Sequence, residues 1–500
     1  MSLKKKLASS KNKNILDISV LWISQFGAVG IAFFTQLLLA RILKVEDYGS
    51  FTSAINIVTI LGGAAAFGAG SNWLRAFGVE GWKAHRWVRP TIKINLIIAS
   101  IVIIGLLVST YYMSVSDSTK ILTIIFISIL LSLTFSTAAE AVYQLEEKYQ
   151  KLSLLKFSVQ GLRFLVVLAA SFIGANLLFI GIGYALGAFI LIYVYFRIIR
   201  RLYKRKVELK GHAPYGNRTI NDKTSTKTAF KYLLPYGSTI VFYSIYFQSN
   251  IFIIGLMSGE ESVALYNVAF TILNVIYLFP TTFYQSYLIP KVHRWGENNE
   301  EKMALLFKQG SKIVLTIGVI IMLAVAGCAS FVVPLLFGER YAEASLILML
   351  LSITIPFRLL CNNLGSILVT EKHVVKKAYY QMTGAIVSIV LNVIFINLWG
   401  VYGAAFATII TEFIVMILFI IGVNSYVPAI KNHKWKNTKK FTNLLLVTTL
   451  LVIYYFYVLS NNVTAFGFFI PIVVIGIFLI YSLVKLIKND LIVSVKKLLL

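Results

Sequence analysis

The sequence has little of what a water-soluble protein needs at its surface. Only 13% of its 500 residues are charged and 58% are hydrophobic, whereas a soluble domain carries about 25% charged residues. No soluble fold buries this much apolar surface while exposing so little charge, so the chain is expected to lie in lipid. A chain that spans lipid forms helices or closed barrels, because its backbone must satisfy its own hydrogen bonds there. The apolar runs last about 20 residues without alternation, which indicates helices.

Cysteine and histidine are also scarce. The two cysteines, Cys328 and Cys361, lie in apolar runs and are expected to be small core residues rather than disulfide partners or metal ligands. The five histidines lie outside the apolar runs, which excludes an intramembrane histidine metal site or proton relay. No HExxH, Walker or GxSxG motif occurs, so an ATP-driven pump is not predicted. No bound cofactor or metal is expected.

Fourteen apolar segments are long enough to cross a hydrocarbon core of about 30 Å at about 1.5 Å per residue. The first is followed by no small-residue cleavage site, so it is expected to be a retained span. The predicted spans are 15–40, 48–72, 90–112, 121–142, 154–173, 177–197, 232–256, 263–289, 313–336, 344–369, 378–398, 402–424, 441–459 and 464–484.

Basic residues alternate between the two sides of these spans. With the N-terminus inside, 41 of the 47 Lys and Arg residues lie in cytoplasmic segments, as the positive-inside rule requires. One span more or fewer would move every later loop to the opposite side of the membrane, so the span count and the charge pattern support each other. Both termini are predicted to be cytoplasmic, and the protein to lie in a cytoplasmic membrane. The net charge of +27 is then a topology signal that also attracts anionic membrane lipids, and no nucleic-acid partner is expected.

The chain divides into two similar halves. Glu46–Asp47 and Glu260–Glu261 each follow an apolar helix and precede a small residue, an aromatic residue and another apolar helix. Six spans separate the copies, an even number, which predicts a parallel repeat. The predicted parts are a cytoplasmic N-terminus (1–14), an N-lobe of six spans (15–197), a basic cytoplasmic linker (198–231), a C-lobe of six spans (232–424), a cytoplasmic loop (425–440), two further spans (441–484) and a cytoplasmic C-terminus (485–500).

Few charges lie within the spans, where each costs at least about 2.5–3.5 kcal/mol. Arg163, Arg358 and Glu412 lie near mid-depth, Glu140 lies near the inner end of its span, and Arg75 lies at the inner end of the second span. Arg358 follows a helix-kinking proline and lines a cavity, pairs with Glu412 to lock two helices, or does both. Arg163 either lines a cavity or reaches toward the cytoplasm along its own apolar stem.

Guanidinium groups suit phosphate, because their planar fork donates parallel hydrogen bonds and stays charged. Two mid-membrane arginines therefore indicate an anionic ligand, whereas a transporter of organic cations would need isolated carboxylates. Uncharged polar residues recur in the spans and either join helices or line a wet cavity able to bind sugars. The weak predicted sugar-binding set is Gln25, Asn56, Asn250 and Asn392.

Three segments resemble Wzx-type oligosaccharide flippases, which are polysaccharide transporters of the MOP superfamily. ARILKVEDYGSF (40–51) resembles the family's first turn, although Lys44 stands where glycine is usual. VVPLLFGERYAEASLILMLLS (332–352) resembles the junction of its ninth and tenth spans. LNVIFINLWGVYGAAFATIITE (391–412) resembles its eleventh-to-twelfth hairpin. The resemblance implies an all-α integral membrane fold of about fourteen helices, with two six-helix lobes arranged as in MATE exporters and two C-terminal helices.

The resemblance also implies the transport of an undecaprenyl-diphosphate-linked oligosaccharide to the outer leaflet, for surface polysaccharides such as O-antigen, lipopolysaccharide or capsule. Arg75, Arg163 and Arg358 are the predicted diphosphate-binding residues. Glu412 and Glu140 are the candidate coupling carboxylates for an H⁺ or Na⁺ gradient, although a paired Glu412 would be structural. Polysaccharide polymerases and glycosyltransferases are potential protein partners.

Several alternatives remain open at this stage. A MATE-like cation or drug antiporter and a lipid II flippase would share the fold, although the mid-membrane arginines disfavour the antiporter. A membrane glycan polymerase or ligase would need catalytic residues on an external loop, and the predicted external loops are too short. A scaffold that assembles glycosyltransferases would not need the intramembrane charges. The predicted activity is therefore transport without catalysis.

Overall fold

The computed structural model describes residues 24–174, 176–210, 212, 224–283, 306–368 and 374–426, and these form helices and short connections without any strand. The described helices belong to two compact units, Met1–Gln248 (unit 1) and Ser249–Leu500 (unit 2). Both predicted termini, residues 211 and 213–223 of the basic linker, the loop from 427 to 440 and the predicted spans at 441–459 and 464–484 lie outside the described residues.

Unit 1 contains eight complete described helices and the first part of a ninth. A short 3-10 turn, Gly81–Trp87, joins the third helix to the fourth. The helices are α1 (Ser24–Ile42), α2 (Val45–Ala66), α3 (Ala69–Glu80), α4 (Val88–Tyr112), α5 (Asp117–Ile125), α6 (Ile127–Leu145), α7 (Tyr149–Ile173), α8 (Leu177–Tyr203) and α9 (Thr226–Met257).

Unit 2 contains the rest of α9 and five further described helices. A short π-helical segment, Leu306–Gly310, precedes the second of these, and a 3-10 turn, Glu339–Tyr341, follows it. The helices are α10 (Gly259–Phe283), α11 (Ser311–Phe337), α12 (Ala344–Ser352), α13 (Thr354–Ile367) and α14 (Val374–Tyr426).

Eight helical stretches of the described chain are long and apolar enough to cross a membrane, and two pairs bent by 43° raise the number to ten if each pair is one span. Two of these stretches are long enough to cross the membrane twice: Val45–Tyr112 with 68 residues and Val375–Ser425 with 51. Each of the first twelve predicted spans overlaps described helical residues. The protein is therefore a multi-pass α-helical membrane protein, as the sequence predicts.

A break between α2 and α3 interrupts the second predicted span. Phe67 and Gly68 both adopt left-handed backbone angles, with φ of 40° and 72°, so α2 ends there and α3 begins after them. On the far side of the break, Gly70 lies directly against the backbone of Thr137 in α6, where no side chain would fit. α3 is thus in close contact with α6, as small residues at helix interfaces allow.

The first half of α9 packs within unit 1. The ring of Phe230 stacks on Phe67 with centroids 5.5 Å apart, and the ring of Tyr232 stacks on Trp87 at 4.9 Å. The boundary between the units therefore falls after Gln248, inside α9. The predicted basic linker precedes this boundary.

Two glycines lie in close backbone contact with neighbouring segments in the interior of unit 2. Gly318 of α11 lies against Pro356 of α13, where an added Cβ would be 2.7 Å from the proline Cα. Within α14, Trp399 and Gly400 leave helical geometry, which turns the chain back on itself as the predicted hairpin requires. Gly403 then packs against the backbone carbonyl of Phe395, with no room for a side chain.

Candidate functional site

Arg358 and Glu412 meet in the interior of unit 2. Their side chains are 6% and 4% exposed, and the Arg358 Nη1 donates a hydrogen bond of 2.8 Å to the Glu412 Oε1. The guanidinium also lies 5.9 Å from the centre of the Tyr277 ring. The structure thus contains the locking pair that the sequence left open as an alternative, between α13 and the second half of α14. Their predicted roles in diphosphate binding and ion coupling remain predictions.

Hydroxyl groups fix the surroundings of this pair. Thr354, one turn before Arg358, donates a hydrogen bond of 2.6 Å to the backbone oxygen of Leu351 and accepts one of 2.6 Å from the Tyr277 hydroxyl. The second carboxylate oxygen of Glu412 is buried and has no hydrogen-bond partner among the described residues. One oxygen of Glu412 therefore carries the ion pair, and the other faces the protein interior.

A second polar group in unit 2 joins three helices. The Asn250 Nδ2 donates to the Tyr266 hydroxyl at 3.0 Å and to the Thr408 Oγ1 at 2.7 Å. The Asn392 Nδ2 donates to the Asn250 Oδ1 at 2.7 Å and to the backbone oxygen of Ser388 at 2.7 Å. Asn250 and Asn392 are both buried. Their contacts are those of residues that join helices, and their predicted sugar binding remains a prediction.

Arg163 in unit 1 has a different environment. It is half-buried on α7, and its guanidinium lies 5.7 Å from the centre of the Tyr184 ring. Among the described residues it makes no ion pair or hydrogen bond. It lines a cavity of about 30 Å³ between α6, α7 and α8, beside Ser132 and Tyr195. That volume suits a water molecule or two.

The remaining predicted charges of unit 1 lie nearer the helix ends. Arg75 is half-buried on α3, with its guanidinium 6.0 Å from the centre of the Tyr232 ring. Glu140 on α6 forms an ion pair of 3.3 Å with Lys156 on α7, and both side chains are partly exposed. Glu140 thus already has a cationic partner in this state.

The two remaining predicted sugar-binding residues, Gln25 and Asn56, are both half-buried in unit 1. The Asn56 Oδ1 has no hydrogen-bond partner among the described residues, whereas Asn250 and Asn392 meet in unit 2. Sequence reasoning missed the tyrosines beside each predicted arginine: Tyr184, Tyr232 and Tyr277. No spacing signal marks them, because each lies on a different helix from its arginine.

The comparisons with known proteins agree with this architecture. The model of the family described as polysaccharide biosynthesis protein matches residues 16–295, and a MatE model matches 235–394. A putative O-antigen transporter of Escherichia coli (strain K12) is 27% identical over 184 residues, which are 36% of this chain and 44% of that protein. The chain thus aligns with less than half the length of this curated relative.

Solved structures of two functional classes share the fold. The lipid II flippase MurJ, in an inward closed conformation, has a TM-score of 0.63 at 15% identity and covers 94% of this chain and 99% of its own. An outward-facing multidrug resistance MATE family transporter of the MOP superfamily has a TM-score of 0.55 at 16% identity and covers 83% and 96%. Likeness at such identities shows the fold alone. Because the family model covers more than half of the sequence, this chain belongs to the polysaccharide biosynthesis protein family.

Proposed function

We propose that the protein is a flippase that moves undecaprenyl-diphosphate-linked oligosaccharides across the bacterial cytoplasmic membrane for surface polysaccharide synthesis. It would act without catalysis, by alternating access driven by an H⁺ or Na⁺ gradient, with both termini in the cytoplasm. Membership of the polysaccharide biosynthesis family and the partial match to a putative O-antigen transporter support a lipid-linked glycan as the substrate.

The observation that carries this proposal is the state of Arg163. A guanidinium within a membrane span is costly unless it faces a cavity or a partner, and Arg163 has no acidic partner among the described residues. Its five N–H groups therefore remain available for an anionic ligand. A diphosphate supplies the oxygens that such a fork binds best.

The proposal requires movement at Arg163. The cavity of about 30 Å³ beside it is far too small for a diphosphate, so α6, α7 and α8 would have to part when the substrate enters. Arg75 would be the second diphosphate-binding residue. Arg358 would join them only if Glu412 released it, which would make Glu412 the coupling carboxylate. Glu140 would couple to the gradient by exchanging Lys156 for an ion.

The experiment is complementation of a strain that lacks its own glycan flippase, with wild type, Arg163→Gln, Arg163→Lys and Arg197→Gln at equal membrane abundance. Arg197 is the matched control, because it also lies against a tyrosine ring, that of Tyr193 at 5.9 Å, but near the end of α8. We expect wild type and Arg197→Gln to restore surface polysaccharide. Arg163→Gln should leave lipid-linked repeat units on the cytoplasmic side, and Arg163→Lys should restore export partly.

Two outcomes would change the conclusion. If Arg163→Gln exports as well as wild type, the flippase assignment stands and Arg163 is not a substrate-binding residue. If wild type exports no glycan in several matched backgrounds, the assignment fails. Drug resistance would then favour a cation antiporter, and rescue of cells depleted of their lipid II flippase would favour lipid II as the substrate.

A further inference from the structure

A groove of about 610 Å³ lies between the end of α11 and the start of α12 in unit 2. One wall is apolar, with Phe331 and Leu335 exposed by 69% and 58%. The other wall carries Glu339 and Glu343. The groove therefore has an apolar side and an acidic side. It takes no part in the proposed transport mechanism or in the ion pair of unit 2.

The apolar wall continues along α11 toward the middle of the membrane. Ile317, Cys328, Phe331 and Leu335 are all exposed and fall on one face of the helix by their spacing. Because the protein spans a membrane, this stripe is in position to contact an acyl chain. A molecule that lies along the stripe would carry its head group to the two glutamates.

One of the two carboxylates is held in place by a hydrogen bond, and neither forms an ion pair within the described residues. The Tyr402 hydroxyl donates a hydrogen bond of 2.8 Å to the Glu343 Oε1, which fixes that side chain. The Glu339 carboxylate makes no hydrogen bond or ion pair within the described residues. Two carboxylates without a cationic side-chain partner in the described part of the chain thus line one groove.

The buried hydroxyl of Ser345 is a second, independent indication that the groove binds a ligand. Ser345 lines the groove and is 5% exposed, yet its Oγ is buried without a hydrogen-bond partner among the described residues. A buried hydroxyl left unpaired has lost its hydrogen bonds to water without replacing them. An incoming N–H donor would pair it.

We propose that this groove binds a phospholipid whose head group carries a primary ammonium, with its acyl chain on the α11 stripe. The ammonium would donate to Glu339, Glu343 and Ser345, which matches its three N–H groups. The exposed Arg340 lies between the glutamates in sequence and suits the lipid phosphate. By the predicted topology the lipid belongs to the outer leaflet.

The chemistry of the groove disfavours a metal ion. No group of three or more acidic, histidine or cysteine side chains that could hold a metal occurs within the described ranges, whereas Ca²⁺ takes six to eight oxygen ligands. A trimethylated head group would also fit poorly, because it has no N–H donor for the carboxylates. The expected preference is therefore for phosphatidylethanolamine over phosphatidylcholine.

The test uses the delipidated full-length protein in detergent and follows its thermal unfolding midpoint. Phosphatidylethanolamine, its mono- and dimethylated forms, phosphatidylcholine and phosphatidylglycerol, all with identical acyl chains, are titrated in turn. We expect a saturable rise in the midpoint with phosphatidylethanolamine that falls with each added methyl group. This series needs no variant, so it holds even if a substitution disturbs folding.

Glutamate variants then locate the site. Glu339→Gln and Glu343→Gln should each weaken phosphatidylethanolamine binding by roughly tenfold, because each loses a charge-assisted hydrogen bond. Glu208→Gln is the matched control, since Glu208 is exposed and lies after α8 in unit 1, and it should bind as wild type does. Equal stabilisation of wild type by the ethanolamine and choline lipids, or an unchanged preference in the Glu339→Gln/Glu343→Gln protein, would overturn the proposal.

Discussion

Removing either charge of the Arg358–Glu412 pair should destabilise unit 2 far more than removing both. Breaking a buried ion pair by deleting one partner costs about 3–5 kcal/mol, because the other charge stays buried without compensation. Both side chains are almost fully enclosed and 2.8 Å apart. We therefore expect Arg358→Met and Glu412→Leu each to lower the free energy of unfolding by about this amount.

The double replacement Arg358→Met/Glu412→Leu should be about as stable as wild type or more so, since packed apolar side chains often replace a buried pair without loss. A double-mutant cycle on the purified protein in detergent, followed by denaturant unfolding, isolates the interaction. A double variant no more stable than the weaker single variant would refute the reasoning.

The two single variants should respond differently to pH. After Arg358→Met, the remaining Glu412 can take up a proton and become neutral, so the variant should gain stability as the pH falls from about 7 to about 5. After Glu412→Leu, Arg358 cannot lose its proton. The decrease in the free energy of unfolding should therefore be the same throughout this pH range. Equal pH responses of both variants would show that the remaining charge is solvated.

Two further predictions concern packing. Gly403→Ala should prevent folding, because its Cβ would collide with the Phe395 carbonyl. Gly105→Ala in α4 has open space and should raise the free energy of unfolding by up to about 1 kcal/mol through helix propensity. The yield of monodisperse protein checks both. Asn392→Leu should lower the free energy of unfolding by about 1–3 kcal/mol, because the Asn250 Oδ1 loses its 2.7 Å donor. An unchanged unfolding curve for Asn392→Leu would show that water replaces the amide.

Hydropathy and charge were enough to predict the helical membrane fold, because each depends on the solvent around a segment rather than on particular neighbours. Arg358 and Glu412 could be named as a pair for a similar reason, as opposite charges near mid-depth in the second half. The break at Phe67 and Gly68 could not be predicted. No proline marks it, and a phenylalanine rarely adopts a left-handed angle such as that of Phe67.

For the candidate site, the sequence predicted which charged residues lie within the membrane but not which residues they contact. The sequence identifies arginines in spans, since such residues are rare in lipid, but it does not show which of them already has a partner. Arg358 forms an ion pair of 2.8 Å with Glu412, whereas Arg163 lies over the ring of Tyr184 and has no ion pair in the described ranges. That difference depends on how α7 and α8, or α13 and α14, are rotated about their axes, and a one-dimensional pattern does not fix helix rotation.

The placement of α9 bears on how such a protein could be divided or assembled from fragments. If the two halves arose by duplication, the ancestral join lay in the basic linker, yet Phe230 at the end of that linker and Tyr232 beyond it complete the packing of unit 1. A fragment that ends in the linker before residue 230 would lack these rings and would expose Phe67 and Trp87. The first half of the chain would then depend on the early residues of the second to finish folding, so synthesis past residue 248 sets the earliest point at which unit 1 is complete.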